Sequence, residues 1–293
     1  MSRRGWALFV ALSLIWGMPY LLIKIAVDSV SPPVVVFVRV ALAAAVLLPL
    51  AAARGTLRPL ARVWRWVVAF AVAEIAIPFA ALTFAETRLT SSLTALLIAA
   101  VPIVAAVVAH LLHLDDRVTP VRLAGLLIGI LGVAALVGLD VRGSELVGVA
   151  ALSLTVLGYA AGPMIVATKL SDVPSVAVIA VAMSINVVLY APVAWLTWPT
   201  DQVPASAWWS LVVLGLVCTA LAFLVLFALI AEAGPTRTTV ITYINPAVAV
   251  LLGVAILGEP VTLGIVIGFP LVLVGSFLAT RSAPSLEDEP YPA

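Results

Sequence analysis

Long apolar runs follow one another along the whole chain, separated by short clusters of Pro, Gly, Ser and charged residues. Each run is close to the roughly 20 residues with which a helix crosses a hydrocarbon core about 30 Å thick. The pattern predicts ten helices, at 5–27, 34–53, 66–85, 89–111, 121–139, 146–168, 176–198, 207–231, 237–257 and 261–280. The first run holds Trp16, Pro19 and Lys24, is too long for a signal-peptide core and has no small-residue cleavage site behind it. It therefore reads as a retained helix.

Composition leaves no soluble alternative. Of 293 residues, 64% are hydrophobic and 10% charged, against about 25% charge in a water-soluble domain. The fold class is an all-α integral membrane protein. A net charge of +1, with no basic run longer than Arg3-Arg4, offers no footprint for nucleic acid. The lone Cys218 excludes an intrachain disulfide. Without a Walker loop, ATP does not drive the chain directly. His110 and His113 stand near Asp115 and Asp116, but at the end of span four, where charges meet water, and they read as solvated. No metal or other cofactor is expected. No nucleophile, base and acid are arranged for catalysis, so the chain reads as no enzyme.

Orientation follows from the Lys/Arg bias of the loops. With the N-terminus cytoplasmic, the inside segments carry Arg3, Arg4, Arg54, Arg58, Arg62, Arg65, Arg117, Arg122, Lys169, Arg237 and Arg281, and the outside loops only Arg88 and Arg142. Ten spans return the C-terminus to the cytoplasm. The excess of Arg over Lys, with heavy Ala and Val use, suggests a GC-rich bacterial genome and hence the bacterial plasma (inner) membrane. Residues 282–293, with Glu287-Asp288-Glu289 and several prolines, are expected to form a disordered tail.

The chain also repeats itself. At an offset of 143, Gly5 falls on Gly148, Trp16 on Tyr159, Asp116 on Glu259, Val118-Thr119 on Val261-Thr262, Gly125 on Gly268 and Gly132 on Gly275. At 144, Pro19 falls on Pro163 and Pro102 on Pro246. Residues 1–143 and 144–281 thus form two repeats of five spans, and an odd number of spans makes them enter the membrane from opposite sides. Inverted repeats are the usual architecture of secondary transporters, with a site near the midplane; a duplicated scaffold or channel is the other reading. Pro19, Pro102, Pro163 and Pro246 lie inside spans as candidate kinks for gating, since each removes a backbone hydrogen bond. Span five has Gly125, Gly129, Gly132 and Gly138, and span ten Gly264, Gly268 and Gly275. Small residues at this spacing permit close helix contact, either between the repeats or in a homodimer.

Three ionisable residues inside spans are candidates for chemistry. Glu74 is the deepest. Burial disfavours its carboxylate against the neutral acid, so a carboxyl there could load and release a proton and couple transport to a proton gradient. The structural alternative is a pairing of Glu74 with Arg39 or Lys24. Both cations lie near the outer ends of their spans, could snorkel outward, and Lys24 has Asp28 one turn further on. Arg39 could instead bind a substrate carboxylate with its planar fork. Trp16, Tyr20, Tyr159, Asn186, Tyr243 and Asn245 carry polar atoms within spans, which need partners on another helix or a ligand. Together they suit a cavity for a zwitterion with an apolar part. Trp64, Trp66, Trp195, Trp198, Trp208 and Trp209 sit at span ends as an interfacial belt.

Particular stretches resemble a known family: GLVCTALAF at 215–223, AEAGP at 231–235, Tyr243-Ile244-Asn245-Pro246, and VLLGVAILGEP at 250–260, together with Trp16-Gly17 and Arg39. Over residues 5–280 the sequence is similar to the drug/metabolite transporter superfamily, specifically its bacterial EamA-type exporters. The resemblance implies ten helices in two inverted five-helix repeats and outward movement of small metabolites, often amino acids. One departure is Leu114-Asp115-Asp116-Arg117-Val118, where a Gly-Glu pair like Gly258-Glu259 is usual. The expected function is secondary active export of amino acids or related zwitterions by alternating access, with protons as the coupling ion and the lipid bilayer as solvent. The alternatives are a multidrug or cationic-compound exporter, in which Glu74 is the counter-charge, and a passive channel or membrane scaffold.

Overall fold

The computed structural model describes residues 1–111, 119–234, 238 and 240–280. The expectations for His113, Asp115, Asp116 and the tail lie outside the described residues, which contain no strand. Eight helices are long and apolar enough to cross a membrane: α1 (Arg3–Val27), α2 (Pro32–Ala53), α3 (Trp64–Glu86), α4 (Ser91–Leu111), α5 (Pro120–Asp140), α6 (Glu145–Lys169), α7 (Ser175–Leu196) and α8 (Ala205–Ala233). Two apolar helices of 17 residues follow, α9 (Ile241–Leu257) and α10 (Leu263–Ala279).

Side-chain caps fix several helix starts. Ser2 accepts from the Gly5 amide, Thr90 from Leu93, Thr119 from Arg122 and Thr262 from Ile265, each satisfying an orphan N–H of a first turn. Thr119 and Thr262 are partners in the sequence repeat, so the repeat preserves a helix start. The intraspan prolines do not behave alike. Pro19 follows a break at Met18 between Arg3–Gly17 and Pro19–Val27, and Pro102 follows an interruption of α4 at Ala99-Ala100. Pro163 and Pro246 sit inside helices that continue through them.

Hydrogen bonds sort the turns into two ends. At the end holding the N-terminus, here the near end, Ser2 Oγ donates to Glu232 Oε1 (2.5 Å) and Tyr243 Oη bonds Thr280 Oγ1 (2.7 Å). At the far end, Ser31 Oγ on the α1–α2 turn donates to Thr197 beyond α7 (3.0 Å). There Asp140 also accepts from Thr262 Oγ1 (2.5 Å) and the Gly264 amide (3.3 Å), holding the start of α10 against the end of α5. Glu259 on the α9–α10 turn accepts from the Ser91 and Ser92 amides (2.7 and 2.9 Å) and from Ser92 Oγ (2.5 Å), capping α4.

Helices of the first sequence half pack chiefly on helices of the second: α5 on α10, α2 on α7, α3 on α6, and α1 on α8 and α9. The glycine stripes explain the closest of these. A Cβ on Gly275 would strike the Gly129 backbone, and one on Gly125 the Ala279 amide. The stripes therefore join the two halves within one chain. Apolar small-residue faces on α5 and α10 let the two halves interlock. Outside, Val188, Trp195, Leu196, Leu131 and Leu251 are exposed, an apolar surface suited to lipid.

Candidate substrate and coupling site

Two helices lose their regular pitch at matching places. Ala71–Ala76 of α3 and Leu216–Leu221 of α8 form single π-helical turns. They are related by one offset, 216 − 71 = 145 and 221 − 76 = 145, which sets Glu74 opposite Thr219. In α3 the cause is Pro78, which lacks an N–H and crowds the carbonyl four residues back, that of Glu74. In α8, which has no proline there, the Thr219 hydroxyl donates to the Leu214 carbonyl (2.7 Å). Such turns often mark functional sites.

Each π turn is held by the other half of the chain. Asn186 on α7 donates to the Ala71 carbonyl (3.1 Å) and Tyr190 to the Ala76 carbonyl (2.6 Å), at the two ends of the α3 turn. Thr155 on α6 donates to the Pro78 carbonyl (3.2 Å). On the α8 turn, Arg39 Nε donates to Thr219 Oγ1 (2.9 Å), and the guanidinium lies 3.8 Å from the centre of the Phe79 ring. Backbone freed at membrane depth is thus satisfied by neighbouring side chains, as lipid requires. Asn186 serves as glue through its Nδ2, while its Oδ1 is buried without a partner.

Glu74 sits in the middle of the α3 π turn. Its side chain is half-buried, with Oε2 sealed and unpartnered against Gly162 of α6, where a Cβ would overlap the carboxylate. Neither expected cation pairs with it. Arg39 is 6% exposed and engaged with Thr219 and Phe79; it does not snorkel outward, because its aromatic and hydroxyl partners hold it inside. Lys24 donates to the backbone carbonyls of Glu86 (2.8 Å) and Leu89 (2.9 Å) instead of pairing with Asp28. The carbonyls at the C-terminal end of α3 carry the negative end of the helix dipole, which suits an ammonium.

The remaining candidates divide. Tyr20 and Tyr159 join the charged residues: Tyr159 is within electrostatic reach of Arg39 and Glu74, and Tyr20 of Tyr159, Arg39 and Glu86. Trp16 packs edge-on against Phe223, with ring centres 6.1 Å apart. With its side-chain amide turned so that Nδ2 meets two carbonyls, Asn245 donates to Ile241 and Ser13 (3.0 and 3.1 Å), tying α9 to α1, and Tyr243 is bonded at the near end. These two are engaged elsewhere, whereas Tyr159, Arg39 and Tyr20 are the polar groups in electrostatic reach of one another and, through Tyr159, of Glu74. A groove of about 210 Å³ at the near end, between Leu60, Trp64, Val67, Val181 and Ile185, has apolar walls and none of these residues.

Sequence reasoning missed Thr219 and Glu86. Thr219 is found by sliding the repeat two residues beyond the glycine matches. Glu86 stood one residue beyond the predicted end of span three, beside Thr87 and Arg88, where a charge reads as interfacial. Its side chain is instead 0% exposed.

Comparison with known proteins agrees with this architecture. The model of the EamA-like transporter family matches twice, at residues 3–138 and 146–281. Protein PagO of Salmonella typhimurium strain LT2 is 32% identical over 126 residues, 42% of this chain and 40% of PagO. The match thus spans less than half the length of that relative. A crystal structure of a protein 21% identical superposes with a TM-score of 0.67, over 96% of this chain and 97% of the other, a likeness of fold. With both halves matched, the chain belongs to the EamA-like transporter family of the drug/metabolite transporter superfamily and is a multi-pass membrane protein.

Proposed function

We propose that the protein is a proton-coupled secondary transporter exporting amino acids or related zwitterions by alternating access. All ten helices cross the membrane as two inverted five-helix repeats, 1–143 and 144–281. The 17-residue α9 and α10 would each span about 26 Å at 1.5 Å per residue. The near end faces the cytoplasm, consistent with the Lys/Arg bias of the loops, and the membrane is the bacterial inner membrane.

One observation carries the reading. Glu74 and Arg39 are both within electrostatic reach of Tyr159 and do not pair with one another: Arg39 is bonded to Thr219, and Glu74 Oε2 is sealed without a partner. Arg39 retains guanidinium donors beyond Nε for a substrate carboxylate. Glu74 remains free to take or release a proton as the helices move. A Glu74 tied up by Arg39 would support neither role.

The test is radiolabelled amino-acid transport in proteoliposomes, with leucine as the first probe, for wild type, Arg39→Lys and Glu74→Gln. The expected result is saturable counterflow by wild type and accumulation driven by a pH gradient. Arg39→Lys should raise the half-saturation concentration, and Glu74→Gln should exchange leucine while ignoring pH. Uptake without counterflow would indicate a channel, and a folded Glu74→Gln protein with the full pH response would sink the coupling role. Transport of organic cations in place of amino acids would make Glu74 a substrate counter-charge.

A further inference from the structure

The far end of α3 holds a second carboxyl that the site above does not use. Glu86 is 0% exposed, and neither carboxylate oxygen has a hydrogen-bond partner. Ser91 Oγ and Thr94 Oγ1, at the start of α4, are likewise sealed and unpartnered. Lys24 gives two of its three N–H donors to the Glu86 and Leu89 carbonyls and makes no hydrogen bond to the Glu86 carboxyl.

The groups facing Glu86 can be named element by element. From α1 come Lys24 and Tyr20, one helical turn apart, and from the α9–α10 turn comes Glu259, itself occupied in capping α4. Along this part of α2 and α6 the titratable groups are Arg39 and Tyr159, which face Tyr20 and Glu74. Tyr20 is in electrostatic reach of Glu86 and of Tyr159, and Tyr159 of Glu74, with no hydrogen bond joining these side chains. Glu74 and Glu86 are 12 residues apart on α3, about 18 Å at 1.5 Å per residue.

We propose that Glu86 is a second proton-binding residue, at the far end of the protein, holding a proton in this conformation and exchanging it with far-side water when that end opens. The proposal rests on the proton-coupled reading above. A carboxylate buried with no donor is expensive, whereas the neutral acid is much less so. The proton arrives from water at the far face, binds a Glu86 oxygen and returns to water when that end opens, and no other bond is made or broken. Glu259 caps α4 at the same end, and because Glu86 is 0% exposed, its access to far-side water requires the packing at that end to part.

Infrared spectroscopy of the full chain reconstituted in lipid tests the protonation directly. At neutral pH the wild type should show a carboxylic-acid carbonyl band that Glu86→Gln lacks and Glu74→Gln does not abolish. In oriented proteoliposomes, Glu86→Gln should exchange leucine at equal pH like wild type, yet lose its response to pH at the far face. Glu86→Asp, a shorter acid, should restore part of that response and serves if the glutamine variant fails to fold. A Glu86→Gln spectrum identical to wild type would show that Glu86 is ionised and overturn the proposal. An intact far-side pH response in the folded variant would remove Glu86 from the path while leaving Glu74 coupling in place. A wild type indifferent to any pH gradient would defeat both.

Discussion

Replacing Gly162 by Ala is expected to uncouple transport without unfolding the protein. Gly162 of α6 faces the Glu74 side chain, and an added Cβ would lie 2.9 Å from Glu74 Cδ and 3.0 Å from its Cβ, with Oε2 closer still. Ordinary contact begins at 3.4 Å, so the carboxylate has to swing aside by on the order of 1 Å, a misplacement that can cost about 10²-fold where geometry governs the chemistry. Stability should change little. Gly to Ala gains roughly 0.8–1 kcal/mol of helix propensity, against about 1–3 kcal/mol for overpacking, and here the crowded atoms belong to a side chain that can move. The assay compares pH-driven leucine accumulation, equal-pH exchange and thermal melting of wild type and variant. Accumulation should fall by about two orders of magnitude, with exchange and melting near wild type. Adding Glu74→Asp withdraws the carboxyl by one methylene and should recover part of the accumulation. Wild-type accumulation by folded Gly162→Ala protein would refute the claim that the position of Glu74 matters.

Two further outcomes concern the scaffold. Gly275→Ala drives a Cβ into the Gly129 backbone, which cannot swing aside; it should lose about 1–3 kcal/mol and melt lower, whereas Gly138→Ala, with nothing within 4 Å, should melt at or above wild type. Glu259→Gln removes the charged acceptor of three hydrogen bonds, of a kind worth roughly 1.5–3 kcal/mol each; amide hydrogen exchange at Ser91 and Ser92 should accelerate, and unchanged protection would mean that Glu259 does not hold α4.

Much of the architecture was written in local pattern. Apolar runs gave helices whose ends lie within a few residues of the predicted ones, because twenty apolar residues admit few other structures in lipid. The repeat was readable because caps and packing glycines tolerate few residue types: Thr119 and Thr262 both start helices, and the matched Gly125, Gly268, Gly132 and Gly275 all lie in the tight seam between α5 and α10. What escaped depends on a helix's azimuth, which apolar runs do not encode. An extra residue in a π turn rotates everything beyond it, so neither the separation of Glu74 from its expected cations nor the inward aim of Glu86 could be projected from a regular helix. The alternative partners of Lys24 were hidden for another reason: backbone carbonyls have no residue signature.

The packing also constrains how the two ends could open in turn. Moving one sequence half against the other would part α5 from α10, whose backbones touch at Gly129 and Gly275, and α2 from α7, which meet along much of their length. Each pair joins a helix to its own repeat counterpart, so the pseudo-twofold axis runs between the pairs' members. Without a hydrophobic effect in lipid, such close small-residue contacts are where helix association is strongest. The irregular points lie elsewhere: Met18 in α1, Ala99-Ala100 in α4, and the π turns of α3 and α8. Helices α2, α5, α7 and α10 run unbroken, even through Pro49, Pro192 and Pro270. A division into two fixed pairs with bending helices around them preserves the tightest interfaces and uses each of these irregular points as a hinge. Glu74, Thr219 and Glu86 all lie on the bending helices α3 and α8, so a bend there changes what surrounds each of them.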